Sequence, residues 1–233
     1  MKIAVWASPR ALTQPPKGVC LVLDVLRATT VMLTALENGA AWIRPVSETE
    51  EALKLAESAG LGPLLGGERN ALKIPGFDFG NSPLEYTSER VAGRGIVMTT
   101  TNGTRAFGAC SEAEQVYAVC MRNAASGAKA LSRSTEGHIL CAGNAGRFTL
   151  EDGLCAGAIL DKLPDVQPDD LGQAMLTLYR AHRKDLFSLL RTTAHTGRLL
   201  SLGMEDDIRF CLEEDASSAL PILINGLLNL TAP

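Results

Sequence analysis

Short apolar runs of β-forming residues alternate with helical patterns over the first 163 residues of the chain. We predict strands at residues 2–6, 18–24, 41–46, 64–67, 95–99, 115–119 and 138–142. Strands that alternate with helices form a sheet that is covered by helices on its faces. The sequence therefore predicts an α/β fold with layered α/β/α architecture and a mostly parallel or mixed central sheet.

The clearest predicted helix covers residues 47–59. Ser47 and Glu50 match a capping box, apolar residues recur at helical spacing, and Gly60 would end the helix. Further along, a loop near 164–170 precedes residues 171–202, which lack strand signals and predict two or three helices. An apolar segment at 221–230 could return to the sheet. We expect a single domain, 1–233, with a helix-rich C-terminal part.

The charge distribution argues against two classes of partner. The net charge is −4, from 26 acidic and 22 basic residues, and no basic run is present that would neutralise a nucleic-acid backbone. Apolar stretches are too short to cross a bilayer, and the apolar run among the first residues is too short for the core of a signal peptide. We expect a cytoplasmic protein with no nucleic-acid or membrane partner, and the oligomeric state stays open, a homo-oligomer included.

Cysteine and histidine residues give little direct indication of a site. None of the six cysteines forms a C-x-x-C pair, which predicts buried reduced thiols rather than a zinc or disulfide scaffold. His138, His182 and His195 have no partner at metal-binding spacing. We expect all three histidines to be surface or core residues.

The first notable motif ends a buried apolar strand with Asp24 and continues to Arg27 before a helix. Open α/β sheets bind ligands just beyond the carboxyl ends of their strands. A carboxylate buried there must be paired or must bind a metal. Asp24 and Arg27 could instead pair with each other or cap the helix. The motif is not a haloacid-dehalogenase signature, because Leu26 replaces the second aspartate.

The second motif is a strand end followed by a long loop rich in glycine and proline, residues 65–83. Long loops inside a compact domain usually carry function. Glu68 and Asp78 offer the hard oxygen ligands that Mg²⁺ prefers, and Arg69 and Lys73 offer positive charge. The alternative is a solvated, variable loop.

The third motif, residues 98–106, runs from a strand through hydroxyl side chains and Gly103 into a helix. Free N–H groups at a helix N-terminus bind anions, and Arg105 adds a guanidinium suited to phosphate. Helix capping by Thr101 or Asn102 is the structural alternative. The segment is not a P-loop, because it lacks the lysine that such a loop requires.

The fourth motif, residues 141–153, runs from a strand through a glycine loop into a helix whose first turn carries Glu151 and Asp152. These acids could bind a metal or simply favour the helix dipole. The same segment spaces Cys141 and Arg147 as in cysteine-dependent phosphatases, in which a thiolate is the nucleophile. Leu140 stands where those enzymes usually have histidine, which weakens that interpretation.

Taken together, these motifs resemble those of the 2-phosphosulfolactate phosphatase family. The most specific segment is Gly-Gly-Glu-Arg-Asn-x-Leu-Lys-Ile-x-Gly-Phe-Asp-x-Gly-Asn-Ser-Pro at 66–83, and residues 24–30, 99–105, 141–159 and 205–212 extend the likeness over nearly the whole chain. The resemblance implies a Mg²⁺-dependent acid phosphatase with an α/β/α fold. Such an enzyme releases sulfolactate and phosphate in a route to coenzyme M. This sequence departs from the pattern at 9–17, 144–145 and 215–220.

A phosphosulfolactate carries a phosphate monoester, a carboxylate and a sulfonate, so its binding would require several cations and a metal. The motif loops supply basic side chains in an otherwise acidic protein. The predicted binding residues for this small anionic phosphate monoester are Arg27, Arg69, Asn70, Lys73, Asn102, Gly103, Thr104, Arg105 and Arg147.

The predicted mechanism depends on four acids. We expect Asp24, Glu68 and one of Glu151 or Asp152 to hold Mg²⁺, and the predicted catalytic residues are Asp24, Asp78 and Asp152, with Asp78 as a general acid or base. Two alternatives stay open: a thiolate mechanism that uses Cys141 and Arg147, and a non-catalytic binder of an anionic phosphometabolite. Phospholactate and phosphoglycerate are alternative substrates.

Overall fold

The computed structural model describes residues 1–57 and 62–230. Within these ranges eleven strands join one sheet. They are β1 (Lys2–Trp6), β2 (Val19–Leu23), β3 (Trp42–Pro45), β4 (Leu64–Arg69), β5 (Leu72–Lys73), β6 (Gly95–Thr99), β7 (Gln115–Val119), β8 (Glu136–Cys141), β9 (Gln167–Pro168), β10 (Pro221–Ile224) and β11 (Leu227–Leu230). All of the predicted strands are present, and β1, β6 and β7 have the predicted bounds.

Helices connect and cover these strands. They are α1 (Ala28–Glu37), α2 (Thr49–Glu57), α3 (Ser88–Val91), α4 (Gly103–Gly108), α5 (Ala124–Leu131), α6 (Leu150–Asp161), α7 (Asp170–His182), α8 (Leu186–Leu190), α9 (Ala194–Ser201) and α10 (Glu205–Cys211). The prediction of two or three helices over 171–202 is confirmed by α7, α8 and α9. No helix in the described ranges combines the length and the apolar character that crossing a membrane requires.

Helix α2 begins two residues later than predicted, at Thr49. The carbonyl oxygen of Ser47 accepts hydrogen bonds from Arg69 Nη2 and Thr99 Oγ1, both at 3.2 Å. Ser47 therefore belongs to the junction between the ends of β3, β4 and β6. The predicted helix end at Ala59 and Gly60 lies outside the described residues.

The sheet has the strand order β5-β4-β6-β3-β11-β10-β7-β2-β8-β1-β9. Strands β4, β6 and β3 are parallel to one another, and so are β7, β2, β8, β1 and β9. The hairpin β10–β11 lies between the two groups and pairs antiparallel with β7 on one side and β3 on the other. The predicted mixed sheet is confirmed.

The apolar segment predicted to return to the sheet does so as this hairpin. Its turn is Asn225-Gly226, and both residues have positive φ, 51° and 78°. A two-residue turn of type I′ requires positive φ at both positions, which is why Asn-Gly favours it. The pair is therefore the sequence signal that divides residues 221–230 into two strands rather than one.

Side chains of the central strand β2 alternate between two apolar cores. Leu21 and Leu23 pack into a core with α5, α6 and α7, whereas Cys20 and Val22 pack into a core with α1 and α4 on the other face. A strand buried on both faces lacks the polar alternation of a half-exposed strand. The two cores make the predicted α/β/α layering explicit.

Substitution of Leu228 tests how much the hairpin that joins the two parallel groups contributes to stability. Leu228 is fully buried, faces Ile43 of β3 and Leu223 of β10 in the ladders, and belongs to the α1 core. We predict that Leu228→Ala lowers the free energy of unfolding by about 2–5 kcal/mol in urea denaturation. Leu230→Ala, at a residue that is 38% exposed, is the matched control and should lower it by less than about 1 kcal/mol. Equal losses of unfolding free energy in the two variants would show that the burial of Leu228 adds no more stability than the partly exposed Leu230 does.

Candidate active site

Loops from four strand ends and one C-terminal helix surround a cavity of about 160 Å³. The loops follow β2, β4, β6 and β8, the helix is α9, and the segment after β5 adds Asn81. The cavity is lined by Asp24, Leu26, Arg27, Glu68, Asn70, Ala71, Asn81, Thr101, Asn102, Asn144, His195, Arg198 and Leu199. Most of these side chains are polar or charged, so the cavity suits a small polar ligand rather than an apolar one.

Asn102 joins the loop after β6 to the loop after β8. Its Oδ1 accepts a hydrogen bond from the backbone N–H of Ala145 at 3.0 Å, and its Nδ2 donates to Asn144 Oδ1 at 3.4 Å. Strands β6 and β8 belong to different parallel groups. The contact therefore brings loops from both halves of the sheet to one cavity.

Asp24 follows the last residue of β2 and is 8% exposed. Its Oδ1 accepts a hydrogen bond from the backbone N–H of Ala28 at 3.1 Å. A Cβ at position 103 would lie 2.7 Å from Asp24 Oδ2. Gly103 is thus needed for the close approach of this carboxylate, in addition to its predicted role as a binding residue. Helix α4 itself has only six residues.

The pKa of Asp24 is raised to about 6. Burial is the main cause, because it disfavours the charged form. The hydrogen bond from Ala28 and the charge of His195 act in the opposite direction, and the negative charges of Glu68 and Glu151 raise the pKa further. A perturbed carboxyl group that lines a cavity is a candidate functional group.

Glu68, at the end of β4, is a second buried carboxylate in the cavity wall. Its Oε2 accepts a hydrogen bond from the backbone N–H of Ala71 at 2.7 Å, and its Oε1 accepts from that of Thr101 at 2.8 Å. Asn70 and Ala71 form the turn between β4 and β5 with positive φ, 57° and 68°. Glu68 therefore holds a strained turn against the loop after β6.

Asp152 lies behind the cavity wall rather than on it. Its Oδ1 accepts from the backbone N–H of Val25 at 2.9 Å, and its Oδ2 accepts from the N–H of Gly143 at 3.0 Å and from Thr149 Oγ1 at 2.9 Å. Burial, followed by the charges of Asp24 and Glu151, raises its pKa well above the ordinary value. Because Asp152 does not line the cavity and its carboxylate fixes the loops behind it, the geometry favours a structural role over the predicted catalytic and metal-binding roles.

Glu151 is 2% exposed and contacts His195 of α9. Glu151 Oε1 and His195 Nδ1 are 2.5 Å apart, and Glu151 Oε2 has no hydrogen-bond partner among the described residues. Burial lowers the pKa of His195, but the hydrogen bond and charge of Glu151, with Asp24 and Asp152, outweigh it, so the pKa is raised. Glu151, a predicted metal ligand, thus orients the imidazole of His195 in the structure.

Arg27 is the one predicted basic residue that lines this cavity, and it is already ion-paired. Its Nη1 lies 2.5 Å from Asp207 Oδ2, and its Nη2 donates to the carbonyl oxygen of Ala71 at 3.1 Å. Asp207 Oδ1 also accepts from Ser82 Oγ at 2.6 Å. The pair fastens α10 to two cavity loops. Arg27 therefore brings little uncompensated positive charge to a ligand.

The other predicted basic residues do not line the cavity. Arg69 donates to the carbonyl oxygens of Glu68 and Ser47 and to Thr99 Oγ1, and Arg105 lies 3.9 Å from Glu48 Oε1. Lys73 lines a neighbouring cavity of about 300 Å³, and Arg147 is exposed. Of the five predicted basic residues, the structure therefore brings only Arg27 to the lining of this cavity.

Three further predicted residues have local structural contacts. Asp78 Oδ2 accepts from the backbone N–H of Leu65 at 2.8 Å, which places the carboxylate beside β4 and away from the cavity lining. Thr104 is buried, and its hydroxyl donates to the carbonyl oxygen of Thr100 at 3.1 Å. Cys141 is fully buried, and burial together with the charges of Asp152 and Glu151 raises the pKa of its thiol well above the ordinary value. A nucleophilic thiolate is disfavoured there.

A comparison with protein families places the whole chain rather than individual site residues. Residues 7–226 match the family model described as 2-phosphosulpholactate phosphatase. The chain belongs to this family. The resemblance that the motifs predicted is thereby confirmed.

Relatives of the 2-phosphosulfolactate phosphatase family cover most of the chain. A "Probable 2-phosphosulfolactate phosphatase" of Caldanaerobacter subterraneus subsp. tengcongensis is 44% identical over 89% of this chain and 88% of the relative. Proteins of the same name from Symbiobacterium thermophilum and Clostridium acetobutylicum are 44% and 36% identical, over 89% and 88% of this chain and 92% and 89% of those relatives.

The family's implied Mg²⁺ can be compared with the oxygens around the cavity. Among the described residues, no group of three or more His, Cys, Asp or Glu is arranged to hold a metal. Mg²⁺ usually binds through one or two carboxylates, waters and substrate phosphate oxygens. Asp24 and Glu68 line the cavity, and Asn81 Oδ1 and Thr101 Oγ1, also in its lining residues, are buried without a partner in the described chain. These oxygens fit such a partial coordination shell.

Four residues that line the cavity had no predicted binding or catalytic role: His195, Arg198, Asn81 and Thr101. His195 and Arg198 are three positions apart on α9, so they share one helical face. That spacing was the available signal, but nothing local showed that the face meets loops more than a hundred residues earlier. Asn81 lay within the 66–83 segment and had no separately predicted role.

We predict that Asp24→Asn stabilises the metal-free protein at pH 7.5. In the folded protein the pKa of Asp24 is about 6, above the ordinary 3.8, so the folded state binds the proton more tightly than the unfolded state does. The stability that this proton contributes is present below about pH 4 and is lost as pH rises through 6. Asparagine removes the charge and should raise the free energy of unfolding by about 2–3 kcal/mol at pH 7.5.

Urea denaturation at pH 7.5 and pH 4.0, with EDTA present, checks this prediction. The gain should be absent at pH 4.0, because the wild-type carboxyl is then protonated in the folded protein. Exposed Glu112→Gln is the control and should change the free energy of unfolding by less than about 0.5 kcal/mol at either pH. A loss of stability in Asp24→Asn at pH 7.5 would contradict the electrostatic interpretation.

Proposed function

We propose that the protein is a phosphatase that hydrolyses 2-phosphosulfolactate to sulfolactate and phosphate. Family membership and the names of the relatives support this reaction class. The observation that carries it is the small polar cavity in which Asp24, at a strand end, is buried beside Glu68. On this proposal the reaction is cytoplasmic and belongs to coenzyme M or sulfolactate biosynthesis.

Magnesium is the proposed cofactor, held by Asp24 and Glu68. The pKa of Asp24 is raised mainly by burial, and further by the negative charges of Glu68 and Glu151, and a bound divalent cation would favour the ionised carboxylate. When bound, Mg²⁺ supplies positive charge to the phosphoryl oxygens of the substrate. Buried oxygens of Asn81 and Thr101 would complete the polar wall on that side.

His195 is the proposed proton donor to the leaving oxygen. Glu151 holds Nδ1, which leaves Nε2 as the ring nitrogen that can reach a ligand in the cavity. Water adds to phosphorus and releases one proton to solvent, the bond between phosphorus and the ester oxygen breaks, and that oxygen takes the proton from Nε2. The products are an alcohol and hydrogen phosphate, and His195 regains a proton from solvent. An alkoxide is a poor leaving group, so this proton transfer should matter.

The proposed activity predicts phosphate release from 2-phosphosulfolactate in the presence of Mg²⁺ and its loss in EDTA. Phospholactate and phosphoglycerate should be assayed beside it, because all three are phosphorylated 2-hydroxy acids. Cys141→Ala should retain activity, since the thiol is buried and its pKa is raised. Activity that survives EDTA but is lost in Cys141→Ala would favour the thiolate mechanism. Binding without any hydrolysis would favour a non-catalytic binder.

Leaving-group chemistry tests the role of His195. We predict that His195→Asn lowers kcat for 2-phosphosulfolactate by ~100- to 10,000-fold, the usual contribution of general acid catalysis. Acetyl phosphate, whose acetate leaves without a proton, should lose less than ~10-fold. His182→Asn, at an exposed residue of α7, is the control and should match wild type for both substrates. Equal losses for both substrates in His195→Asn would exclude leaving-group protonation.

A further inference from the structure

Arg198 is a basic residue of the cavity that the mechanism above does not use. It lies on α9, is exposed, and lines the cavity. Its Nη2 donates to the carbonyl oxygen of Asn70 at 3.1 Å, which fastens the side chain across the mouth of the cavity to the β4–β5 turn. No carboxylate lies within ion-pair distance of it in the described part of the chain.

The two arginines of the cavity differ in the charge that they offer to a ligand. Arg27 is 3% exposed and is neutralised by Asp207, whereas Arg198 keeps its positive charge without an acidic partner in the described chain. A guanidinium stays protonated at any physiological pH and binds a carboxylate through two parallel hydrogen bonds. Arg198 is therefore the better placed of the two to bind a second anionic group of a ligand.

The position of Arg198 relative to His195 indicates which anionic group that is. Residues three apart on a helix are neighbours on one face, about 5–6 Å between Cβ atoms. In a phosphorylated 2-hydroxy acid, the carboxylate is attached to the carbon that carries the ester oxygen. A proton donor at the ester oxygen and a cation one helical turn away thus match adjacent groups of the substrate.

We propose that Arg198 binds the carboxylate of the substrate and makes the site specific for phosphorylated 2-hydroxy acids. The inference rests on the proposed phosphatase function and on the same cavity. Asn70 assists by holding the guanidinium through its carbonyl oxygen. The side of the cavity that carries Asp24 and Glu68 receives the phosphoryl group. Arg198 of α9 receives the carboxylate of the substrate.

Three substrates separate the carboxylate from the sulfonate: 2-phosphosulfolactate carries both groups, 2-phospholactate lacks the sulfonate, and phosphorylated 2-hydroxyethanesulfonate lacks the carboxylate. We expect Arg198→Gln to lower kcat/KM for the first two by roughly 10- to 150-fold, mainly through KM, and to leave the third within about 3-fold. Arg198→Lys should recover part of the loss, because it keeps the charge without the planar fork.

Exposed Arg191→Gln, which removes an arginine outside the cavity lining, is the matched control and should behave as wild type. Equal losses on all three substrates, or a loss confined to the two sulfonates, would overturn the inference while leaving the phosphatase function intact. Absence of hydrolysis by the wild-type protein on every substrate would instead overturn the proposed function. Thermal melting of each variant separates a loss of folding from a loss of recognition.

Discussion

The carboxylate of Asp152 is the contact on which the site depends. It accepts hydrogen bonds from the backbone of the loop after β2, from the backbone of the loop after β8, and from Thr149 before α6. Two chain segments that are distant in sequence, the loop after β2 and the connection from β8 to α6, are thus fixed to one buried group. Asp24 is the first residue of the loop after β2, and Asn144 belongs to the loop after β8. This junction therefore helps to position both residues in the cavity wall.

This arrangement concentrates negative charge in a poorly solvated place. Burial is the main cause that raises the pKa of both Asp24 and Asp152, and neighbouring negative charges raise it further, those of Glu68 and Glu151 at Asp24 and those of Asp24 and Glu151 at Asp152. The ionised site therefore opposes folding. Asp152 is compensated by backbone donors, whereas Asp24 keeps an oxygen beside Gly103 and faces the cavity. Destabilising charge of this kind is typical of functional sites, where it is relieved by a ligand or a metal.

Much of the fold could be predicted from the sequence, because short continuous apolar runs such as 95–99 and 115–119 indicate buried strands locally. The positions of Asp24 and Glu68 in the cavity wall also followed, since both end strands. The roles of Arg69 and Arg105 did not follow. Long side chains choose partners in three dimensions, and these two turn to Thr99 and Glu48 instead of a ligand.

The contribution of helix α9 to the site was not predicted, for a related reason. His195 pairs with Glu151 across 44 positions of sequence, and Arg198 reaches Asn70 across 128. A single sequence contains no signal for such contacts, and a histidine without a metal-spaced neighbour was expected to be structural. The C-terminal helical layer therefore contributes to the site as well as covering the sheet.

Titration of the metal-free protein with Mg²⁺ in a calorimeter tests the central claim most directly, namely that the acids at the strand ends form a cation site. The account predicts saturable binding by the wild-type protein and at least a 10-fold loss of affinity in Asp24→Asn, with Glu112→Gln unchanged (about 1.4 kcal/mol per tenfold change). Equal Mg²⁺ affinity in the wild-type protein and Asp24→Asn would contradict it.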